Sequence, residues 1–162
     1  MAQRDIFLKV DGVDGESQDD AHNGEIEIIS FHIGAANTGS GQRGTGSGSG
    51  RSMVHDMQLT KQTDKSSPSL FIACCNGKHH PTATLVVRKA GGDSPHEYLK
   101  YTMSNVFLSS YNCKADGGGE IAKESFSLNF SKIEMAYVPQ NADGSAGATI
   151  TKTHDIAANK SS

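Results

Sequence analysis

Residues 25–33 read EIEIISFHI, and the spacing of their apolar side chains decides what kind of fold this chain can adopt. Ile26 and Ile28 share one face of an extended segment, after which Ile29, Phe31 and Ile33 take the other. Alternation with a period of two is the signature of a half-buried strand. A change of phase inside such a strand marks a bulge or a bend. Strands that bend in this way carry the chain from one sheet into another.

Working outward, the same period recurs along the chain. Ile6, Leu8 and Val10 share a face, as do Met57 and Leu59, Leu85 and Val87, Leu99, Tyr101 and Met103, and Phe126 and Leu128. The phase flips near Val106 and again between Phe130 and Ile133, and a last strand is expected within residues 147–156. Turn residues separate these runs, notably Gly91-Gly92, Gly117 to Gly119 and Asn141 to Gly144. One segment breaks the pattern. A serine just ahead of Pro68 supplies an N-cap, Pro68 suits a first helical turn, and Gly77 stands where a helix would stop. The residues between are apolar nearly all round, which predicts a short α-helix over about residues 67–76 that plugs a core. The expected fold is therefore mainly β: a compact β-barrel of two sheets with one short helix and a long Gly/Ser loop over residues 35–52. A chain of 162 residues fits a single domain, 1–162.

Inside that loop, Gly39, Gly41 and Gly44 spell the G-x-G-x-x-G of a dinucleotide-binding turn. The motif works only when a helix begins on its last glycine, so that free N–H groups face the phosphates. Thr45 to Gly50 alternate glycine with Thr and Ser and cannot nucleate a helix. Glycine-rich composition explains the match, and no nucleotide cofactor is expected.

Charge and cysteine usage narrow the partners. The formal net charge is −3, and Lys and Arg are scattered rather than gathered into a stripe, which argues against nucleic acid. Three cysteines, two of them adjacent at Cys74 and Cys75, form neither a spaced disulfide framework nor paired C-x-x-C zinc ligands. They suit synthesis in a reducing cytosol. The first ten residues, MAQRDIFLKV, carry Asp5 where a signal peptide runs apolar, and no stretch is long and apolar enough to span a bilayer. Export, if it occurs, is expected by a route that reads no cleavable signal, without membrane insertion.

The search for chemistry finds little. His79 and His80 follow the Cys pair, but neighbours in a strand point to opposite faces and cannot converge on one metal. No G-x-S-x-G nucleophile turn occurs. Glu25 and Glu27 share one strand face, read as the solvent side of an alternating strand rather than as a glycosidase pair. The acidic run Asp11, Asp14, Glu16, Asp19 and Asp20 breaks calcium-loop spacing and is read as turn chemistry. No catalytic residue, metal or cofactor is expected. A β domain of this kind works through its surface.

Several blocks carry a family resemblance that runs nearly end to end. They are IFLKVDGVDGES (6–17), GEIEIISFHIG (24–34), QLTKQTDKSSPSLFIACCNGKHHPTATLVVRKAGG (58–92), EYLKYTMSNVFLSSY (97–111) and ESFSLNFSKIEMAYVPQNADGS (124–145). With them the chain resembles the Hcp (haemolysin-coregulated protein) family, inner-tube proteins of the bacterial type VI secretion system. The resemblance implies a β-barrel of two sheets with one helix at its side, six copies of which close into a homohexameric ring. Rings stack into a tube capped by a spike protein and surrounded by a contractile sheath, whose contraction exports the tube. Small effector proteins bind in the lumen. It implies no enzymatic motif. Alternation together with the resemblance puts Ser30 and His32 on the lumen-facing side of their strand, as effector contacts. Gly39, Ser40, Gly41, Gln42, Arg43, Gly44, Thr45, Gly46, Ser47, Gly48, Ser49, Gly50 and Arg51 are expected to form the ring-stacking loop. Two other classes stay open: a monomeric secreted β-sandwich binding module, and a metal-dependent enzyme using His79, His80 or the Cys pair.

Overall fold

The computed structural model describes residues 5–37, 52–89 and 95–162. Its architecture is mainly β, with one helix and two sheets. Strand β1 (Ile6–Val10) leads through residues 11–25 to β2 (Ile26–Glu27) and β3 (Ser30–His32). A separate two-stranded sheet pairs β4 (Ala35–Asn37) with β5 (Ser52–Val54). Then follow β6 (Met57–Gln62), α1 (Ser67–Asn76), β7 (His79–Lys89), β8 (His96–Lys114), β9 (Lys123–Asn129), β10 (Lys132–Tyr137), β11 (Ile150–Asp155) and β12 (Lys160–Ser161).

Ten strands form one antiparallel sheet around the 19-residue β8. One arm runs β12-β11-β10-β8-β7-β1-β2, and the other leaves β8 through β9 and β6 to β3. β10 pairs with the first half of β8 (Tyr137 opposite Leu99, Lys132 opposite Ser104), and β9 with its second half (Asn129 opposite Phe107, Lys123 opposite Lys114). The predicted phase flip near Val106 falls at Asn105, whose φ of 53° lies in the left-handed region. Met103 and Val106 are both buried in consequence, three residues apart.

The arms end at the stretch whose phase change the sequence displays. Ile28 N–H donates to the Ile6 carbonyl on β1, and Ile29 N–H donates to the Thr60 carbonyl on β6. The bend exchanges one partner strand for another, so Ile26 and Ile28 are buried from one side and Phe31 packs from the other. Consecutive chain, rather than a continuous ladder, joins the two arms there. The sheet is thus not closed into the barrel that the pattern predicts, and the second sheet is only the β4–β5 pair. That pair also shortens the expected 35–52 loop: its two ends are strands, with Ala35 opposite Val54 and Asn37 opposite Ser52.

The core joins Leu8, Val10, Ile26, Ile28, Met57, Leu59, Leu85, Met103, Leu108, Phe126 and Leu128, all almost fully buried. The helix takes the predicted span, with Pro68 in the first turn and Gly77 as C-cap at φ 65°, donating its N–H to the Ala73 carbonyl. Two details differ. Ser66 occupies the N-cap without a side-chain capping bond; instead Asp64 Oδ1 accepts from the Ser66 N–H at 2.9 Å, and Ser67 Oγ accepts from the Asp64 N–H at 3.0 Å. Nor does α1 plug the core: Leu70 and Ala73 are buried, but Phe71 and Ile72 are 50% and 55% exposed. The helix lies at the side, and an apolar run with no helical period cannot say which flank is covered.

Residues 11–25 fold back over the outer face of β1 and β7. Gly15 N–H donates to the Gly24 carbonyl and Ser17 N–H to the Glu25 carbonyl, closing the segment on itself. Phe7, on the face opposite Leu8, is sealed beneath it: the His22 ring stacks on Phe7 at 4.4 Å and the Arg88 guanidinium lies 4.7 Å from its centre. The acidic run therefore does more than turn. Asp19 receives two hydrogen bonds from the Arg88 guanidinium, and Asp5 accepts a third at 3.2 Å. Glu25 leaves the solvent side assigned to it to meet His22 Nδ1 at 3.0 Å, while Glu27 stays exposed.

Candidate assembly and lumen-facing surfaces

Ser30 and His32 lie on β3, which among the described residues pairs with β6 alone: Ser30 opposite Thr60, Phe31 opposite Leu59 and His32 opposite Gln58. Alternation turns Phe31 toward the core, where it meets Tyr101 edge-on at 5.9 Å, and leaves Ser30 and His32 exposed on the opposite face. The structure brings these two polar positions together on one surface at the end of a sheet arm. The thirteen positions assigned to ring stacking, Gly39 to Arg51, lie outside the described residues.

Beside β3 opens a groove of about 1010 Å³ between the β4–β5 pair and the β10–β12 edge of the large sheet. Ile33, Val54, Tyr101, Ile133 and Met135 form its apolar wall, with Lys152 and His154 among its polar residues. Met135, Tyr137 and Ile150 on β10 and β11 are 45%, 43% and 57% exposed, and Met53 on β5 is 65% exposed. A second apolar surface is the Phe71-Ile72 flank of α1, carried by a different element. These groove and helix residues escape sequence reading, because their exposure depends on how the arms meet rather than on local period.

Ionisable side chains hold the scaffold. Lys61 is fully buried, its Nζ 2.8 Å from Glu124 Oε1, 2.9 Å from Asp64 Oδ1 and 2.9 Å from Ser67 Oγ. Burial pushes the Glu124 carboxyl up, but the Lys61 ammonium beside it and the neighbouring hydroxyls outweigh that and hold the group below the usual glutamate range. The Tyr111 hydroxyl is pushed well up, first by burial and then by Glu124. His79 and His80 take opposite faces, as adjacent strand residues must: His79 is exposed beside Asn105, and buried His80 donates from Nδ1 to the Asp11 carbonyl at 3.0 Å. Among the described residues no three His, Cys, Asp or Glu side chains gather where a metal ion could be held. Cys74, Cys75 and Cys113 are free thiols. No helix among the described residues is long and apolar enough to cross a membrane.

An all-β scaffold with one flanking helix, two separate apolar surfaces and ionisable groups committed to structure fits a protein that works by surface contact. The family described as "Type VI secretion system effector, Hcp" matches residues 7–137. The chain is 42% identical over 140 residues to Protein hcp1 of Pseudomonas aeruginosa, covering 86% of each. A solved structure described as a type six secretion system protein superposes with a TM-score of 0.90 at 33% identity, over 99% of this chain and 100% of that one. Hcp1 from Salmonella typhimurium superposes with a TM-score of 0.79 at 40% identity, over 98% of both chains. The chain is therefore a component of the type VI secretion system, in the class of its secreted tube proteins. Within that class it belongs to the Hcp family.

Proposed function

We propose that this protein is a non-enzymatic structural subunit of the secretion tube, six copies of which close head to tail into a ring. The observation that carries the proposal is the presence of two unlike apolar surfaces on one chain: the β10–β11 groove edge and the exposed α1 flank. A cyclic ring needs two different faces per subunit, whereas a two-fold dimer needs one self-complementary face. Rings then stack into a tube that carries the spike, sits inside the contractile sheath and leaves the cell on contraction. Small effector proteins occupy the lumen.

Ser30 and His32 are the effector-facing pair in this reading, supported by their shared exposure on β3. Residues 39–51 supply the axial contact between rings, supported by composition: ordering glycine costs backbone entropy, which suits a contact that must release after ejection.

Mass measurement in solution tests the ring. A particle of six subunits, annular under negative stain, is expected, with more than about 1,200 Å² buried at each lateral contact. A chain that stays monomeric at high concentration overturns the proposal. Replacing residues 39–51 with a short turn is expected to keep the ring mass and abolish stacks. His32→Arg is expected to reduce effector retention without changing ring mass; unchanged retention removes the lumen assignment.

A further inference from the structure

His22 is buried within the segment over residues 11–25, its ring stacked on Phe7, and each of its ring nitrogens faces a carboxylate. Nδ1 lies 3.0 Å from Glu25 Oε2 in the same segment, and Nε2 lies 2.6 Å from Glu97 Oε1 on β8. An ionised carboxylate only accepts. A neutral imidazole has one N–H and can serve one of the two, so both contacts together need a ring with a proton on each nitrogen. Among the described residues, the other charged groups gathered at Phe7 are Arg88 from β7, which lies over the ring, with its partners Asp19 from the covering segment and Asp5 just ahead of β1. Asp5, Asp19, Glu25 and Glu97 thus surround one guanidinium, and an imidazolium at His22 is the second cation among them.

The two contacts of His22 are not equivalent. Glu25 is held against it by a backbone turn, its N–H donating to the His22 carbonyl at 3.2 Å, and its side chain is mostly covered. Glu97 belongs to another element and its side chain is 46% exposed, so water can take over its carboxylate at little cost. A ring that loses one proton therefore keeps Nδ1–H for Glu25 and gives up Glu97. We propose that His22 is a proton-operated latch: as imidazolium it fastens the 11–25 segment to β8 through Glu97, and on losing a proton it releases that tie and loosens the cover over Phe7. The Asp19–Arg88 pair still holds the segment to β7, so the cover loosens without detaching. The latch needs ionised glutamates and a charged imidazole, which places its full grip between their ordinary ranges, at roughly pH 5 to 6, with release as pH rises through the range where imidazole titrates.

The full chain, followed from about pH 5.5 to about pH 8.5 by NMR of the ring nitrogens and by amide exchange, tests this. At the acid end both His22 nitrogens should carry protons. At the alkaline end the single proton should sit on Nδ1, and protection factors at Gly15, Ser17 and Gly24, corrected for intrinsic exchange, should be lower by about tenfold. Glu97→Ala, at a half-open strand position, removes the tie and should show the low protection at both ends. Glu97→Gln supplies an amide, which accepts from the charged ring and donates to the neutral one, and should show the high protection at both ends. The proposal is overturned if wild-type protection is the same at both ends, if the ring carries a single proton at the acid end, or if Glu97→Ala keeps the pH dependence of wild type.

Discussion

The ammonium of Lys61 lies 2.8 Å from the carboxylate of Glu124, with both side chains sealed from solvent and the pair tied to Asp64 and Ser67 at the head of α1. Removing one member strands the other charge in the interior. Lys61→Met alone should therefore destabilise by about 3–5 kcal/mol, whereas Lys61→Met with Glu124→Leu should recover most of that loss. Chemical denaturation of the three proteins checks this, and a double variant as unstable as the single one would show that the pair itself stabilises the fold.

Asp19 and Arg88 predict a pH dependence of known sign. The Arg88 hydrogen bonds hold the Asp19 carboxyl below its ordinary value of 3.8, burial opposing them. A carboxyl depressed in the folded state stabilises above its unfolded value and loses that contribution as pH falls through its folded value. The advantage of wild type over Asp19→Asn should be full well above the ordinary value of 3.8 and shrink progressively as pH falls below it. Thermal melts across that range check the prediction; an advantage that grows on acidification would contradict it.

Two glycines in the segment that covers Phe7 are required for different reasons. A Cβ on Gly15 would collide with the backbone carbonyl of Glu25, so Gly15→Ala should cost about 1–3 kcal/mol by forcing the segment off β1. Gly12 has open space but a φ of +81°, so Gly12→Ala should cost about 1–2 kcal/mol through backbone strain alone. Amide exchange separates them: protection at Ser17 and Gly24 should fall in the first variant and persist in the second.

Asn105 reverses the inward phase of β8 through its left-handed backbone. Asn105→Gly should be nearly neutral, while Asn105→Val should lose about 1–2 kcal/mol, because a β-branched residue resists positive φ. Equal stability of the two variants, measured by urea unfolding, would mean that the local conformation had shifted to relieve the strain.

Much of the fold is legible because a period of two survives wherever one side of a strand meets the core. Even the bends are legible, since Ile28-Ile29 and Met103 to Val106 shift phase where the ladder changes partner. Lys61 and Glu124 stand in phase with Met57 and Leu59 and with Phe126 and Leu128, yet their charge conceals their burial. Only a partner across two strands, Lys61 opposite Glu124 in the β6–β9 register, makes those positions tolerable. Phe7 is hidden for the opposite reason, since its face is covered by an acidic stretch whose composition announces a solvated turn. Ser30 and His32 are legible as an outward pair, but the groove beside them depends on the meeting of β4, β5 and β10 to β12, which no local pattern encodes.

Because β8 belongs to both arms of the large sheet, one strand ties them together even though no ladder joins their far ends among the described residues. A pull applied at either end is carried along one strand of 19 residues that both arms share. Such a body transmits a sudden thrust as a rigid pellet does, and when it fails it should fail all at once rather than shed one half and keep the other.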